Sequence, residues 1–213
     1  MIDFLQFTGT EKPMKLYYAP GACSLAPHIA LRETGQAFDL DKLDFATKKT
    51  AGGENFLSVN PQGYVPALRL DDGAVLTECA VILQYIADRG AARLIAAAGT
   101  MERYRTQEWL SFIATEIHKN YSPLFNKAAP EKAKAQARER LAKRLGHVEA
   151  TLAKSPYLVG GRYTVADIYL FVTLRWSRII SFDLTPFPNT RDFQTRVGAR
   201  VEVREALKAE GLG

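Results

Sequence analysis

The stretch YYAPGACSLAPHIALRETG, residues 17–35, decides how this chain is read. It opens on two aromatic residues, turns through Pro20-Gly21-Ala22, places a cysteine at position 23 and runs on as an apolar segment that stops at Gly35. KLYYA, 15–19, has the pattern of a strand, and Ser24 to Thr34 that of a helix with Gly35 as its C-terminal stop. Strand, tight turn and helix in that order put the Cys23 sulfur beside a helix N-terminus. Free N–H groups and the helix dipole favour a thiolate there, and cysteines so placed have pKa values lowered from ~8.5 into the range of roughly 3.5–7.5.

Outward from this stretch the alternation of short elements continues. FDLDKLDF, 38–45, reads as a second strand, and VPALRL, 65–70, with AVL, 74–76, flanks Asp71-Asp72-Gly73, a good hairpin turn. A helix is expected from about Glu78 to Arg89. The order β-α-β, an irregular stretch with a short helix, then β-β-α implies a small mixed sheet covered by helices. After GAARLIAAAGT, 90–100, strand patterns vanish. The expected organisation is an α/β unit over 14–90, a linker over 91–100 and an all-helical unit over 101–213.

Within the second unit, MERYRTQEWLSFIATEIHKNY, 101–121, repeats Trp109, Phe112, Ile113, Ile117 and Tyr121 at helical spacing, leaving Glu108, Ser111, Thr115 and His118 as a polar stripe. PEKAKAQARERLAKRLGHVEATL, 130–152, is rich in helix formers with a solvated charged face. YTVADIYLFVTLRW, 163–176, is apolar nearly all round and reads as the buried central helix. Thr164 can cap its start, Asp167 can reach back to the cap backbone, and Tyr163 can staple onto Ile168. Asp167 therefore reads as structural rather than catalytic.

Totals narrow the function classes. The chain has 213 residues, 47% of them hydrophobic, which suffices for a sizeable core. Its two cysteines, Cys23 and Cys79, lie far apart and offer neither a disulfide framework nor metal-ligand spacing, which points to a reducing, cytoplasmic setting. No apolar run approaches the roughly 18 residues that span a bilayer, and MIDFLQFTGTEKP lacks the character of a signal peptide, so no membrane partner is expected. The net charge of +5 is spread among acidic residues, and no nucleic-acid-binding motif is present, so no nucleic-acid partner is expected either.

Three local features point to a small ligand. In Cys23-Ser24-Leu25-Ala26 no second cysteine follows at redox spacing, so the site is monothiol, fit to act as a nucleophile or to form a mixed disulfide. In NPQGYVPALRL, 60–70, a cis Val65–Pro66 bond would leave the Val65 backbone free to pair with a peptide-like molecule. LTECAVILQYIAD, 76–88, sets Glu78 and Cys79 at a helix start, where N–H groups welcome a carboxylate and Glu78 can accept an ammonium.

Together these residues make the chain from Met14 onward similar to the bacterial beta-class glutathione transferases. The resemblance rests on YYAPGACSLAPHIALRETG, Lys48-Lys49 in ATKKT, NPQGYVPAL, LTE, EWLSFIATEIHKNYSPLF and GGRYTVADIYLF. It implies an N-terminal thioredoxin-like α/β domain followed by an all-α helical bundle, with glutathione as co-substrate and no metal or organic cofactor. By position, Cys23 matches the cysteine at the glutathione sulfur, with Ser24 as a further donor. Lys48 matches the residue near the glycine carboxylate, Val65 with Pro66 the pairing for the cysteinyl backbone, and Glu78 with Cys79 the seat of the γ-glutamyl end. His118 and Lys119 match the pair that the second domain brings toward the sulfur, with Ser111 on the same stripe. Ala22, Lys119 and Trp176 fall at the electrophile pocket.

Two departures stand out. Cys79 occupies a position usually held by serine or another small residue, and a thiol is a weaker donor than a hydroxyl. Residues 1–13 precede the family's usual start and are expected to be a mobile extension. The resemblance further implies a cytoplasmic homodimer that joins the glutathione thiolate to small apolar electrophiles in detoxification. Lowering a thiol pKa by two units favours the thiolate by about 2.7 kcal/mol, a task for a helix N-terminus with neighbours such as Ser24 and His118. The rival readings are a glutathione-dependent disulfide reductase or peroxidase that uses Cys23, and a non-catalytic carrier of apolar ligands.

Overall fold

The computed structural model describes residues 13–213, so the expectation for the extension lies almost wholly outside the described residues. The first unit holds β1 (Met14–Tyr18), α1 (Leu25–Glu33), β2 (Phe38–Lys42), α2 (Phe56–Val59), β3 (Ala67–Arg69), β4 (Val75–Thr77) and α3 (Cys79–Arg89). Its four strands lie in the order β2-β1-β3-β4, with β1 parallel to β2 and antiparallel to β3. The parallel pair requires a crossover, which α1 supplies, whereas β3 and β4 are joined by the short Asp71-Asp72-Gly73 turn.

Alternation along the strands sorts the side chains between two apolar layers. Leu16 and Leu68 face α1, α3 and the helical domain, while Tyr17 and Ala67 pack with Phe56, Val59 and Val65 on the other face. The second strand ends at Lys42 rather than at 45, because the Asp44 carboxylate accepts the Ala46 N–H at 2.8 Å and turns the chain.

Residues 90–100 form an irregular connector, pinned where the Val165 N–H donates to the Leu94 carbonyl at 3.0 Å. Beyond it come α4 (Met101–Phe112), a π-helical segment (Ile113–His118), α5 (Lys119–Phe125), α6 (Glu131–Leu152), α7 (Val165–Ile179), α8 (Pro188–Gly198) and α9 (Val201–Ala209). Among the described residues no helix is long and apolar enough to cross a membrane.

The uninterrupted helix expected over 101–121 is thus corrected by a π-helical turn. The π segment runs directly into α5, which carries Pro123 in its interior. An extra residue per turn rotates every later side chain about the axis. Trp109, Ile113, Ile117 and Tyr121 still reach the core, but the polar stripe no longer stays on one face.

Helix α7 is buried along nearly its whole length, each large apolar side chain stabilising the fold by about 1.5–3 kcal/mol on burial. Its start is built as the sequence implies: the Asp167 carboxylate accepts the Thr164 N–H at 2.8 Å, the Thr164 hydroxyl at 2.9 Å and the Leu158 N–H at 2.9 Å. The ring of Tyr163 lies under the Arg200 guanidinium, 3.9 Å from its centroid.

The two units share one apolar core, in which α1 and α3 pack on α7 and α1 also packs on α9. Forked ion pairs join them at both ends, Arg103 to Asp88 at 2.6 and 2.8 Å and Arg200 to Glu33 at 2.6 and 2.8 Å. Gly90 is required where α3 ends against α1, since a β-carbon there would lie 2.4 Å from Thr34.

Candidate active site

A cleft of about 760 Å³ opens between the two units, a size suited to a small molecule. The turn Ala19 to Cys23, the Tyr64-Val65-Pro66 loop and Thr77-Glu78-Cys79 form one wall. His118, Lys119, Tyr169 and Trp176 from the helical unit face them.

Gly21 makes the turn possible, with φ of 71°, a region open to glycine and strained for other residues. Its backbone is held from the far end of the chain. Glu210 accepts the Gly21 N–H at 2.9 Å and meets His28 Nδ1 at 2.9 Å, while Arg32 Nε donates to His28 Nε2 at 3.0 Å. An accepting Nε2 places the His28 proton on Nδ1, directed at the buried Glu210 carboxylate. Trp176 Nε1 donates to the Gly21 carbonyl at 2.8 Å, so both peptide groups of the turn are tied to the helical unit.

Cys23 lies at the base of the cleft and keeps part of its surface open, and its thiol donates to the Val65 carbonyl at 3.4 Å. The lowered thiol pKa expected from the helix start is corrected. The protein mass packed around the sulfur pushes it up to about 12, outweighing its own N–H and that of Ser24, with Glu78 adding to the rise and Lys119 opposing it. Desolvation of a thiolate exceeds what two N–H groups return. At neutral pH Cys23 is therefore a neutral S–H donor.

Ser24 is fully buried, and its hydroxyl is taken by Ala19, accepting from the N–H at 3.1 Å and donating to the carbonyl at 3.3 Å. It is absent from the cleft lining, and only its backbone N–H bears on the Cys23 sulfur. The Val65–Pro66 bond is cis, and among the described residues the Val65 N–H has no hydrogen-bond partner, which leaves it available to a peptide.

Glu78 is exposed at the head of α3 with φ of 66°, a conformation that strains a residue with a side chain and aims this one into the cleft. Cys79 follows it as the first residue of α3, buried, its thiol donating to the Cys23 carbonyl at 3.6 Å. Burial raises its pKa well above the usual thiol range, and the Glu78 charge adds to the rise. Lys48 stands behind the rim rather than in the lining, its ammonium bonded to the Gly63 carbonyl at 3.1 Å and resting over the Phe45 ring.

From the helical unit, His118 ends the π segment and reaches the cleft with the exposed Lys119. Burial, with the Lys119 charge, lowers its pKa to about 4, so the ring is neutral at pH 7. Its Nδ1 meets the Tyr169 hydroxyl at 2.7 Å and its ring packs edge-on against Trp176. With Tyr169 donating to Nδ1, the imidazole proton sits on Nε2. Ser111 does not join this group. It is exposed on α4 outside the lining, because the π turn separates its face from that of His118.

Sequence reasoning missed Tyr169 and Glu210. Tyr169 lies seven residues before Trp176, a spacing that puts both on one helix face, but it was absorbed into an apolar run. Nothing local distinguishes Glu210 among the charged residues of the last helix.

Comparison with known proteins agrees with this architecture. Residues 12–88 match the family model for the glutathione S-transferase N-terminal domain and residues 112–200 that for the C-terminal domain. The glutathione S-transferase GstA of Escherichia coli O157:H7 is 46% identical over 93% of this chain and 100% of its own. A beta-class glutathione S-transferase of Sphingomonas chungbukensis has 48% identity with a TM-score of 0.90, and a sphingomonad enzyme solved with glutathione has 47% with 0.90, each covering 93% of this chain and 100% of the other. With both domains matched, relatives of 46–48% identity covered end to end and a TM-score of 0.90, the chain belongs to the glutathione S-transferase family and is built like its bacterial beta-class members.

Proposed function

We propose that this protein is a glutathione transferase that joins the glutathione thiolate to small apolar electrophiles. The observation that carries the reading is the set of donors around one point of the cleft: the start of α1, the Cys23 thiol and His118. The Val65 backbone suits the cysteinyl unit of the tripeptide, and the start of α3 with Glu78 suits its γ-glutamyl carboxylate and ammonium. Lys48, whose ammonium now bonds the Gly63 carbonyl, is the cation we assign to the glycine carboxylate.

Catalysis follows from stabilising the anion of the bound thiol rather than that of Cys23. The S–H of Cys23 turns from Val65 to the glutathione sulfur, the Nε2–H of His118 and the Lys119 charge face it, and the Ser24 N–H completes the shell. Trp176, Phe125 and Ile179 provide an apolar floor for the electrophile. Glutathione is the co-substrate, and neither a metal nor an organic cofactor enters. A reducing cytoplasm keeps such thiols usable. Exposed Val81 on α3 with Met101 and Tyr104 on α4 supports a homodimer that pairs the first domain of one subunit with the second domain of the other.

The deciding experiment is the initial rate of glutathione conjugation to a chlorodinitrobenzene-type electrophile, with the uncatalysed rate at the same pH subtracted. An enzyme-dependent rate that saturates in glutathione is the expected result. Background rate with glutathione binding intact would reject conjugation.

A further inference from the structure

We propose that Cys79 is a second redox thiol of the cleft, and that oxidation joins it to Cys23 in a disulfide that closes the glutathione seat; the inference rests on the glutathione reading above. Both free cysteines line the same cleft, each at or just before the first turn of a helix. The Cys79 sulfur lies 3.6 Å from the Cys23 carbonyl oxygen. Covalent geometry then puts that sulfur within about 6 Å of the Cys23 α-carbon, and a disulfide forms once the Cys23 side chain leaves the Val65 carbonyl and the turn before α1 adjusts.

Cys23 precedes α1 in a turn, and its sulfur must give up the Val65 carbonyl to meet that of Cys79. Helix N–H groups at the two helix starts favour the thiolates transiently. Burial keeps both thiols protonated at rest, so the pair stays reduced until a disulfide enters the cleft.

The oxidant is a glutathione disulfide. Cys23 loses its proton to solvent and attacks one sulfur. A Cys23–glutathione bond forms, the original S–S bond breaks, and the first glutathione leaves as a thiolate that is reprotonated. Cys79 then loses its proton and attacks the Cys23 sulfur. The Cys23–Cys79 bond forms, the bond to glutathione breaks, and the second glutathione leaves. Two protein thiols are oxidised to one disulfide, and one glutathione disulfide is reduced to two glutathiones. Since Cys23 marks the sulfur end of the seat and Cys79 the γ-glutamyl end, their bond draws the two ends together and excludes the tripeptide.

The test incubates the reduced full-length protein with excess glutathione disulfide, blocks free thiols with N-ethylmaleimide in acid and reads intact mass. The expected product is two hydrogens lighter than the reduced chain, carries no maleimide and runs as a single chain under non-reducing denaturing conditions. Its conjugation rate is down by at least about tenfold and returns with dithiothreitol. The near-isosteric Cys79→Ser variant stops one glutathionyl group heavier, at Cys23. Wild-type protein that also stops at the glutathionyl adduct with Cys79 alkylated, or that links two chains, overturns the proposal. Dithiodipyridine, a disulfide that needs no glutathione seat, separates the two failures. An internal disulfide with this reagent alone rejects the glutathione reading and retains the thiol pair, whereas alkylated Cys79 with both reagents rejects the pair.

Discussion

The start of α7 and the start of α1 begin from similar sequence and end in opposite states. At α7 the carboxylate of Asp167 and the hydroxyl of Thr164 are turned inward on their own turn, and three donors meet one carboxylate. At α1 the cap residue Ser24 makes no side-chain bond to its helix, because its hydroxyl is held by Ala19. Glu78 at the head of α3 likewise makes no cap bond. A helix start that satisfies its own N–H groups is a structural joint, and one that leaves them toward a cleft is a binding site. The contrast explains why a buried acid and a cleft thiol, both near helix N-termini, have different roles.

The contrast is broken most severely at α7. Asp167→Ala leaves two N–H groups and a hydroxyl without their acceptor and is expected to destabilise the fold by about 3–4 kcal/mol, read as a shift in the urea midpoint at constant slope.

The same residue gives a pH test. Burial raises the Asp167 pKa from 3.8 to about 6, above its unfolded value, so the stabilisation from its protonated form is full below about 3.8 and lost as pH rises through 6. His118 has the opposite sign. Its folded pKa of about 4 lies below 6.5, so the stability of its neutral ring is present above 6.5 and lost as pH falls toward 4. In the native chain the two slopes oppose each other. Asp167→Asn removes one of them, so the stability gap between wild type and variant widens by about 2 kcal/mol from pH 7 to pH 4, and an unchanged gap would refute the assignment.

At the open helix starts the expected effects are kinetic and smaller. Glu78→Gln keeps the shape and removes the charge facing the ligand ammonium. It raises the KM for glutathione about tenfold, equivalent to about 1.4 kcal/mol, with little change in kcat. Cys23→Ala removes one neutral donor and lowers the conjugation rate only about fivefold, matching a hydrogen bond of about 1 kcal/mol. Complete loss of conjugation in this variant would restore Cys23 to the role of thiolate.

Much of this was legible along the chain because it is local. The strand-turn-helix around Cys23, the cap at Thr164 and Asp167, and the cis Val65–Pro66 bond each depend on residues within a few positions of one another. The polar stripe of α4 failed as a guide because it assumes a constant helical period, and one π turn between Ser111 and His118 breaks that assumption. The electrostatics failed for a related reason. Proximity to a helix start is visible in sequence, but the protein mass around a sulfur is contributed by distant segments.

By itself the sequence determined the two-unit plan, the order of the elements and the turn that carries the thiol, since hydrophobic period, capping and glycine or proline chemistry act over short range. Tertiary structure alone decided that Cys23 is protonated, that His118 is neutral and bonded to Tyr169, that Glu210 holds the Gly21 turn from 189 residues away, and that Cys79 lies against the Cys23 backbone. Charge state and contact depend on burial and on through-space distance, which arise only when α1, α3 and α7 pack into one core.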